Sequence, residues 1–461
     1  MNTIEEEKEK RENDEPRPVY LVGIGGIGMS ALARYFRATG CAVAGYDRTP
    51  SPLTLEMSRE GIDITHEDDE REIAGIFRSP GRPLVIYTPA IPPGNRVLSF
   101  FRENGHALHK RSEVLGMIAG TKKAICVAGT HGKTTVSTMT AFLLHSSRVG
   151  CNAFLGGISS NFGTNVLVNP ASPFAVIEAD EYDRSFLHLH PEMAVITSTD
   201  ADHLDVYGTR ECMMEAFEQF ACQTRGKLFA RKGVTLRRRE VDGYYAVDEP
   251  ADYRAARPRP EGNGFRFDYA GRDVSIPGLR LAVPGRVNVE NVTAAITLAL
   301  HAGVSPGEIR EALPRFKGVA RRFDLHANGR AIYVDDYAHH PREIEATLTS
   351  AREMWPGRRL TVAFQPHLYS RTRDFYPGFA KSLSLADEVI LMEIYPAREE
   401  PLPGVTSRLI ADRLTVPHVM ARREELPELV RARVTDGIFM TIGAGDIDRF
   451  VPLFTAMFTG N

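Results

Sequence analysis

Val127-Ala128-Gly129-Thr130-His131-Gly132-Lys133-Thr134-Thr135 decides how the rest of this chain is read. The apolar run Ala124-Ile125-Cys126-Val127 leads into it, and a helix-like run over residues 136–144 follows. Strand, glycine turn, Lys-Thr and helix is the layout of a phosphate-binding loop. The glycines let backbone N–H groups close around phosphate oxygens, and the helix N-terminus adds a favourable partial charge. In such a loop Lys133 reaches the β/γ-phosphates and the Thr134 hydroxyl ligates Mg²⁺. One feature departs from the common motif: only Thr130 and His131 separate Gly129 from Gly132-Lys133, where the usual spacer is longer.

Upstream lies a second glycine loop. Val19-Tyr20-Leu21-Val22 runs into Gly23-Ile24-Gly25-Gly26-Ile27-Gly28-Met29-Ser30, a helix pattern follows, and a second strand ends in Asp47. An acid about 20 residues past the glycines completes a dinucleotide-binding layout, with a diphosphate on the helix N-terminus and a ribose hydroxyl near Asp47. A dinucleotide or a UDP-sugar presents those same groups. The next buried run, Leu84-Val85-Ile86-Tyr87, ends in the rigid turn Thr88-Pro89-Ala90, at the strand end where open α/β sheets bind ligands. Lys110-Arg111-Ser112-Glu113 precedes another short helix.

Downstream of the phosphate loop, Phe174-Ala175-Val176-Ile177 ends in Glu178-Ala179-Asp180-Glu181-Tyr182-Asp183. Four carboxylates at one strand end repel each other unless a cation sits among them. Another strand ends in Asp200-Ala201-Asp202-His203-Leu204-Asp205. Hard oxygen donors with one imidazole suit Mg²⁺ or Mn²⁺ beside phosphate better than zinc. Residues 227–281 alternate between Gly and Pro turns and read as antiparallel edge strands. The helix entered after Pro284-Gly285 places Asn288 and Asn291 on one face of its first turn. From Arg321-Arg322 onward the pattern is alternating α/β, with strands at 332–334, 360–364, 389–392 and 438–442. Polar clusters follow these strands: Asp335-Asp336-Tyr337-Ala338-His339-His340, then His367-Leu368-Tyr369-Ser370-Arg371-Thr372-Arg373, then Gly443-Ala444-Gly445-Asp446.

At 461 residues the chain is too long for one ordinary domain. The fold class is α/β in three domains: an N-terminal Rossmann-like domain at 18–121, a central P-loop ATPase-like mixed α/β domain at 122–320, and a C-terminal Rossmann-like α/β domain at 321–461. Residues 1–17 are charged and expected as a disordered tail. A net charge of −3 gives no general basic surface for nucleic acid. No apolar run approaches the roughly 20 residues that span a bilayer. The five cysteines lack paired CxxC spacing, so reduced thiols in a cytoplasmic protein are expected.

Over residues 19–457 the chain resembles the Mur ligases, and among them the member that acts on L-alanine. The shortened spacing of Gly129-Thr130-His131-Gly132-Lys133-Thr134-Thr135 is similar to that family's phosphate loop. The 23–30 loop resembles its UDP-binding loop, implying contacts to UDP-N-acetylmuramate from Gly23, Gly25, Gly26, Ile27, Gly28, Met29, Ser30, Asp47, Thr88, Pro89, Ala90 and Arg111. The resemblance further implies ATP contacts at residues 129–135, Asn291, Arg322, Asp335, Asp336 and Tyr337. It implies Mg²⁺ or Mn²⁺ on Thr134, Glu178 and His203, with Glu181 the weaker metal candidate. It puts His339, His340, His367, Tyr369, Arg371 and Arg373 on the amino-acid and acyl-phosphate side, with Lys133, His203, His340 and Arg371 as the catalytic set. Two departures stand out: Val287 replaces a histidine common among relatives, and no lysine precedes Asp202-His203. The implied activity is ATP-dependent joining of L-alanine to UDP-N-acetylmuramate through an acyl phosphate, by a monomer or weak homodimer. A ligase adding a preformed peptide is the alternative within the family. An NAD-dependent dehydrogenase, suggested by the first loop alone, leaves the phosphate loop unexplained.

Overall fold

The computed structural model describes residues 16–92, 94–200, 204–397 and 399–460. The charged N-terminus as far as residue 15, and Asp202 and His203, lie outside these. Arg17, expected in the tail, is instead pinned to the first sheet, its guanidinium donating to the carbonyls of Arg82 (2.9 Å) and Pro83 (3.1 Å). The described residues fall into two compact units: residues up to 158 with 162–244 and 298–304, and residues 159–161 with 245–297 and 305 onward.

The first unit carries two sheets. In the first, β1 (Val19–Val22), β2 (Val43–Tyr46), β3 (Asp63–Thr65), β4 (Leu84–Tyr87) and β5 (Leu108–Lys110) lie all parallel in the order β3-β2-β1-β4-β5. Strand order reverses between β1 and β4, which places the loop after β1 at the switch point where such sheets bind ligands. The helix Ile27–Ala38 opens earlier than the glycine-rich sequence suggests, because Gly28 is accommodated in its first turn.

The second sheet of this unit contains β6 (Lys123–Ala128), β7 (Asn152–Phe154), β8 (Val166–Leu167), β9 (Phe174–Glu178), β10 (Met193–Ile196) and β11 (Lys227–Arg231), ordered β11-β10-β6-β9-β7-β8. All pairings are parallel except β7 with β8. Residues Ala124 to Ala128 of β6 are all buried, as a central strand covered on both faces requires. Since β6 lies between β9 and β10, the segments leaving the carboxyl ends of these three strands meet at one place.

In the second unit the edge strands differ from expectation. The strand β12 (Gly243–Val247) pairs parallel, not antiparallel, with β13 (Tyr253–Glu261). Only β13, β14 (Gly264–Ala270) and β15 (Ser275–Leu281) form the antiparallel meander. The alternation read from sequence is shared by both pairings, so pattern alone does not separate them. The last sheet orders β16 (Asp324–Asn328), β17 (Ala331–Asp336), β18 (Leu360–Phe364), β19 (Glu388–Met392), β20 (His418–Ala421) and β21 (Gly437–Ile442) as β16-β17-β21-β18-β19-β20, parallel except for β16. Successive side chains alternate between two cores: Ile332, Val334, Val362 and Phe364 on one face, Tyr333, Ala363 and Phe439 on the other. The helix expected near residue 372 begins at Tyr369, and the last helix, Val451–Thr459, is preceded by the short turn Asp446–Phe450.

Candidate active site

The phosphate loop leaves β6 and enters the helix Lys133–His145 through Gly132, whose φ of 80° is left-handed and which provides no side-chain cap. The first amides of that helix therefore have no side chain of their own to satisfy them, the condition that makes a helix N-terminus an anion site. Gly129 is required for space as well as conformation: its φ is 129°, and a Cβ there would stand 2.1 Å from Thr197 Oγ1. The segment after β10 braces the loop. Ser198 Oγ accepts from the His131 N–H (2.9 Å) and shares a hydrogen bond with Thr130 Oγ1 (2.9 Å). Thr197 Oγ1 donates to the carbonyls of Ala128 (3.1 Å) and His131. His131 Nε2 lies 3.6 Å from Asp200 Oδ2.

The four carboxylates after β9 are not massed together. The Glu178 side chain accepts from Thr134 Oγ1 (3.0 Å) and from the Gly156 N–H (2.9 Å), and a Cβ on Gly156 would fall 2.3 Å from its oxygens. Glu181 is fully buried and places its two oxygens 2.9 and 2.7 Å from Lys133 Nζ. Burial alone would push the Lys133 ammonium down, but the carboxylates of Glu181, Asp180 and Glu178 hold its pKa well above the ordinary value. The cation that the acidic cluster demanded thus includes the loop's own lysine. Asp183 leaves the cluster through a left-handed turn (φ 52° at Asp183, 55° at Arg184) and lies 3.9 Å from Lys110 Nζ.

The oxygen set fits a hard divalent cation. Cis oxygen ligands around octahedral Mg²⁺, each about 2.1 Å from the metal, stand roughly 3 Å apart, and Thr134 Oγ1 and Glu178 Oε1 are 3.0 Å apart. Among the described residues no three His, Cys, Asp or Glu side chains gather into a metal site. The remaining ligands would then be water and phosphate, as Mg²⁺ favours. His203, the imidazole of the expected set, lies outside the described residues.

In the first sheet, Gly23 (φ 90°) packs on Thr88, whose Cγ2 a Cβ would approach to 2.4 Å, so the β1 and β4 ends close on each other. Gly28 lies under Arg111, whose Cδ and Nη1 are each 2.9 Å from where its Cβ would be. A Cβ on Gly26 would make only ordinary contacts, 3.7 Å from the Gly23 carbonyl oxygen and 3.9 Å from Met29 Cγ; Met29 and Ser30 are buried, and Ile27 is partly exposed. Pro89 and Ala90 are exposed at the strand end. Asp47 Oδ2 accepts from the Gly25 N–H (2.8 Å), so the carboxylate shapes the loop itself.

The second unit gathers the other expected residues at the ends of β17, β18 and β21. Asp336 is buried and accepts from the N–H groups of Ala338 (2.8 Å) and Phe323 (3.0 Å) and from Thr347 Oγ1 (3.1 Å). Burial raises its carboxyl to about 6, with Arg322 opposing the shift. Burial likewise raises Asp335, although Arg321 (3.2 Å) and the Thr441 hydroxyl (2.6 Å) stabilise its charge. The guanidiniums of Arg321 and Arg322 stack over Tyr337 at 5.1 and 4.8 Å. The Tyr337, His339 and His367 rings form a chain of contacts at 5.3 and 6.2 Å. Gln365 bridges β18 and β21 by donating to Asp446 (2.8 Å) and accepting from the Ile447 N–H (3.0 Å). Asn288 and Asn291 are buried and hydrogen-bonded to each other (3.3 Å).

Tyr369, Arg371, Arg373 and His340 lie on helices or at a helix start. Arg371 is buried on the helix Tyr369–Leu383, where Tyr369 stands at the start. Arg373 stands exposed, paired with its neighbour Asp374 at 2.7 Å. His340 caps its helix: Nδ1 accepts from the Arg342 N–H (3.3 Å). Sequence reasoning missed Thr197 and Ser198 as the brace of the phosphate loop. Their signal was present as the hydroxyl-rich run Thr197-Ser198-Thr199 at a strand end.

Residues 18–123 match the model described as Mur ligase family, catalytic domain; 127–299 match the Mur ligase middle domain; 321–445 match the Mur ligase, glutamate ligase domain. The UDP-N-acetylmuramate–L-alanine ligase of Phocaeicola vulgatus is 49% identical, over 95% of this chain and 97% of its own. That of Porphyromonas gingivalis strain W83 is 47% identical, over 94% and 97%. The crystal structure of the UDP-N-acetylmuramate–alanine ligase of Thermotoga maritima superposes with a TM-score of 0.80 at 28% identity, covering 96% of this chain and all (100%) of that one. A murein peptide ligase from Psychrobacter arcticus shares the fold, at 22% identity and a TM-score of 0.68.

Proposed function

This chain belongs to the Mur ligase family, and from that premise we propose that it joins L-alanine to the carboxylate of UDP-N-acetylmuramate at the expense of ATP. The products are UDP-N-acetylmuramoyl-L-alanine, ADP and phosphate, in peptidoglycan precursor synthesis. One observation carries the reading: near half-identity to L-alanine ligases runs through almost the whole chain, phosphate loop included.

A carboxylate is a poor acyl electrophile because its leaving group would be oxide. In the proposed reaction a carboxylate oxygen attacks the γ-phosphorus of ATP, ADP leaves, and an acyl phosphate results. Positioning and charge neutralisation dominate such a transfer. Lys133 supplies a positive charge at the β/γ-phosphates, from a loop that Thr197 and Ser198 brace. Thr134 and Glu178, with His203, would hold Mg²⁺ or Mn²⁺; when bound, the ion offsets phosphate charge and orients it. The alanine amine then attacks the acyl carbon, the carbon–oxygen bond to phosphate breaks, and the ammonium proton goes to a base. His203 and His340 are the two candidates for that base; a ring nitrogen whose lone pair is given to the metal, or to the Arg342 N–H, is not the one that takes the proton. Arg371 or Arg373 is the candidate for the alanine carboxylate, by a bidentate contact. Residues 129–135, Asn291, Arg322, Asp335, Asp336 and Tyr337 make the ATP site in this reading.

No helix among the described residues is long and apolar enough to cross a membrane. The reading has the enzyme act in the cytoplasm as a monomer or weak homodimer, with working domains at 18–121, 122–320 and 321–461. The test is ADP release in the presence of UDP-N-acetylmuramate with L-alanine, glycine, L-serine or a tripeptide. Release that requires L-alanine supports the proposal; release driven only by the tripeptide replaces it with a peptide-adding ligase.

The Gly28–Arg111 contact yields a separate expectation. Gly28→Ala pushes the Arg111 guanidinium aside, so KM for UDP-N-acetylmuramate rises about tenfold, the scale of one lost charge-assisted contact. KM for ATP stays unchanged. Steady-state kinetics with each substrate varied in turn checks this, and a rise in both constants would point to a folding defect instead.

A further inference from the structure

We propose that Glu181 is a positioning residue that competes with phosphate for the Lys133 ammonium, and so sets how tightly the loop holds polyphosphates. The inference rests on the reading of this loop as the ATP site.

Both Glu181 oxygens lie within hydrogen-bond distance of Nζ, at 2.9 and 2.7 Å, and the residue has no exposed surface. Its backbone is held as well: Tyr207 Oη donates to the Glu181 carbonyl at 2.6 Å. Beyond it, Asp183 and Arg184 take left-handed φ values, and the Arg184 guanidinium stacks 5.6 Å over the Tyr207 ring. The backbone that carries the carboxylate is therefore fixed, and the side chain itself is enclosed. Lys133 is the freer partner. It roots in the first turn of its helix, and its side chain keeps 12% of its surface exposed.

A phosphate oxygen arriving at the loop therefore meets an ammonium that is shared with Glu181, not one dedicated to it. A polyphosphate without its own cation also faces the carboxylates of Glu178 and Asp180, whose charges act on Lys133. A polyphosphate carrying a divalent cation neutralises that field on arrival. Competition of this kind favours the metal-bound form and keeps any one anion from holding the lysine too firmly, which matters for release of ADP.

The test titrates the full-length protein and Glu181→Gln with inorganic pyrophosphate, with and without Mg²⁺, and with Mg²⁺–ADP by calorimetry. Glu181→Gln removes the competing charge while keeping the side chain's size. Metal-free pyrophosphate should bind on the order of tenfold tighter, with a smaller gain for Mg²⁺–ADP, a lower KM for ATP and no rise in kcat. A merely structural role predicts the opposite sign, because a disturbed loop binds less. Equal or weaker pyrophosphate binding by a folded Glu181→Gln overturns the inference. Should that variant fold poorly, Tyr207→Phe keeps both charges and loosens the Glu181 backbone. It should move pyrophosphate affinity the same way by about two- to threefold, and no gain there also overturns the inference. Failure of the unsubstituted protein to bind Mg²⁺–ADP would sink the ATP reading itself, an outcome distinct from normal ADP binding without the Glu181 effect.

Discussion

Lys133→Ala is expected to reduce L-alanine-dependent phosphate release by at least about 10³-fold, the scale of removing a preorganised charge from a phosphoryl-transfer site. The same substitution should also lower stability, because it strands the fully buried Glu181 carboxylate without its partner. Breaking a buried ion pair from one side costs roughly 3–5 kcal/mol, and the 12% exposure of the lysine side chain puts this case near the lower end. Loss of activity by the single variant is therefore ambiguous. The double variant Lys133→Ala with Glu181→Gln resolves it, since it removes the stranded charge along with the lysine. Its melting temperature should return most of the way to that of the unsubstituted protein while turnover stays absent. Activity recovering in step with stability would mean that Lys133 serves the fold and not the chemistry.

Glu178→Gln should raise the Mg²⁺ concentration for half-maximal activity by about 10- to 100-fold, the cost typical of damaging a metal's immediate surroundings. Turnover at saturating Mg²⁺ should remain on the order of 10²-fold down. Glutamine keeps the volume and one acceptor for the Gly156 N–H, so the loop around residue 156 should hold its shape. A readout without turnover is the Mg²⁺ dependence of the melting-temperature gain given by ADP. That gain should follow metal concentration in the unsubstituted protein and shift to higher metal in the variant. An unchanged metal dependence would remove Glu178 from the cation site and leave it as a brace between Thr134 and Gly156.

What could be read from sequence here followed the local grammar of strand, glycine turn and helix. Both loops, at 23–30 and 129–135, declare themselves because the residues that shape them are contiguous. The match to known ligases agrees with the α/β class and with the activity implied by the resemblance. The Lys133–Glu181 pair was not legible, because its members are brought together only by the adjacency of β6 and β9 in the sheet. Nor was the turn that carries Asp183 away, since two non-glycine residues there adopt a conformation that sequence patterns assign to glycine or asparagine. Asp47 shows the same limit from another side. Its spacing put it near the loop, but the hydrogen bond it accepts from the Gly25 amide depends on how β1 and β2 pair. The parallel pairing of β12 with β13 escaped because parallel and antiparallel edges share one alternation.

Arg34 and Asn165 carry one more consequence. Arg34 is nearly buried on the helix Ile27–Ala38, paired with Glu56 (3.0 Å) and Glu60 (2.7 Å), and reaches Thr164 and Asn165 at 3.4 and 3.5 Å. Asn165 in turn donates to the Ile27 carbonyl at 2.6 Å, within the 23–30 loop at the start of that helix. Asn165 stands immediately before β8, whose sheet also contains the strand that launches the phosphate loop. These bonds tie the segments behind the two glycine loops together within one compact unit. Local opening at one should carry the free-energy cost of opening at the other, the behaviour of one foldon instead of two.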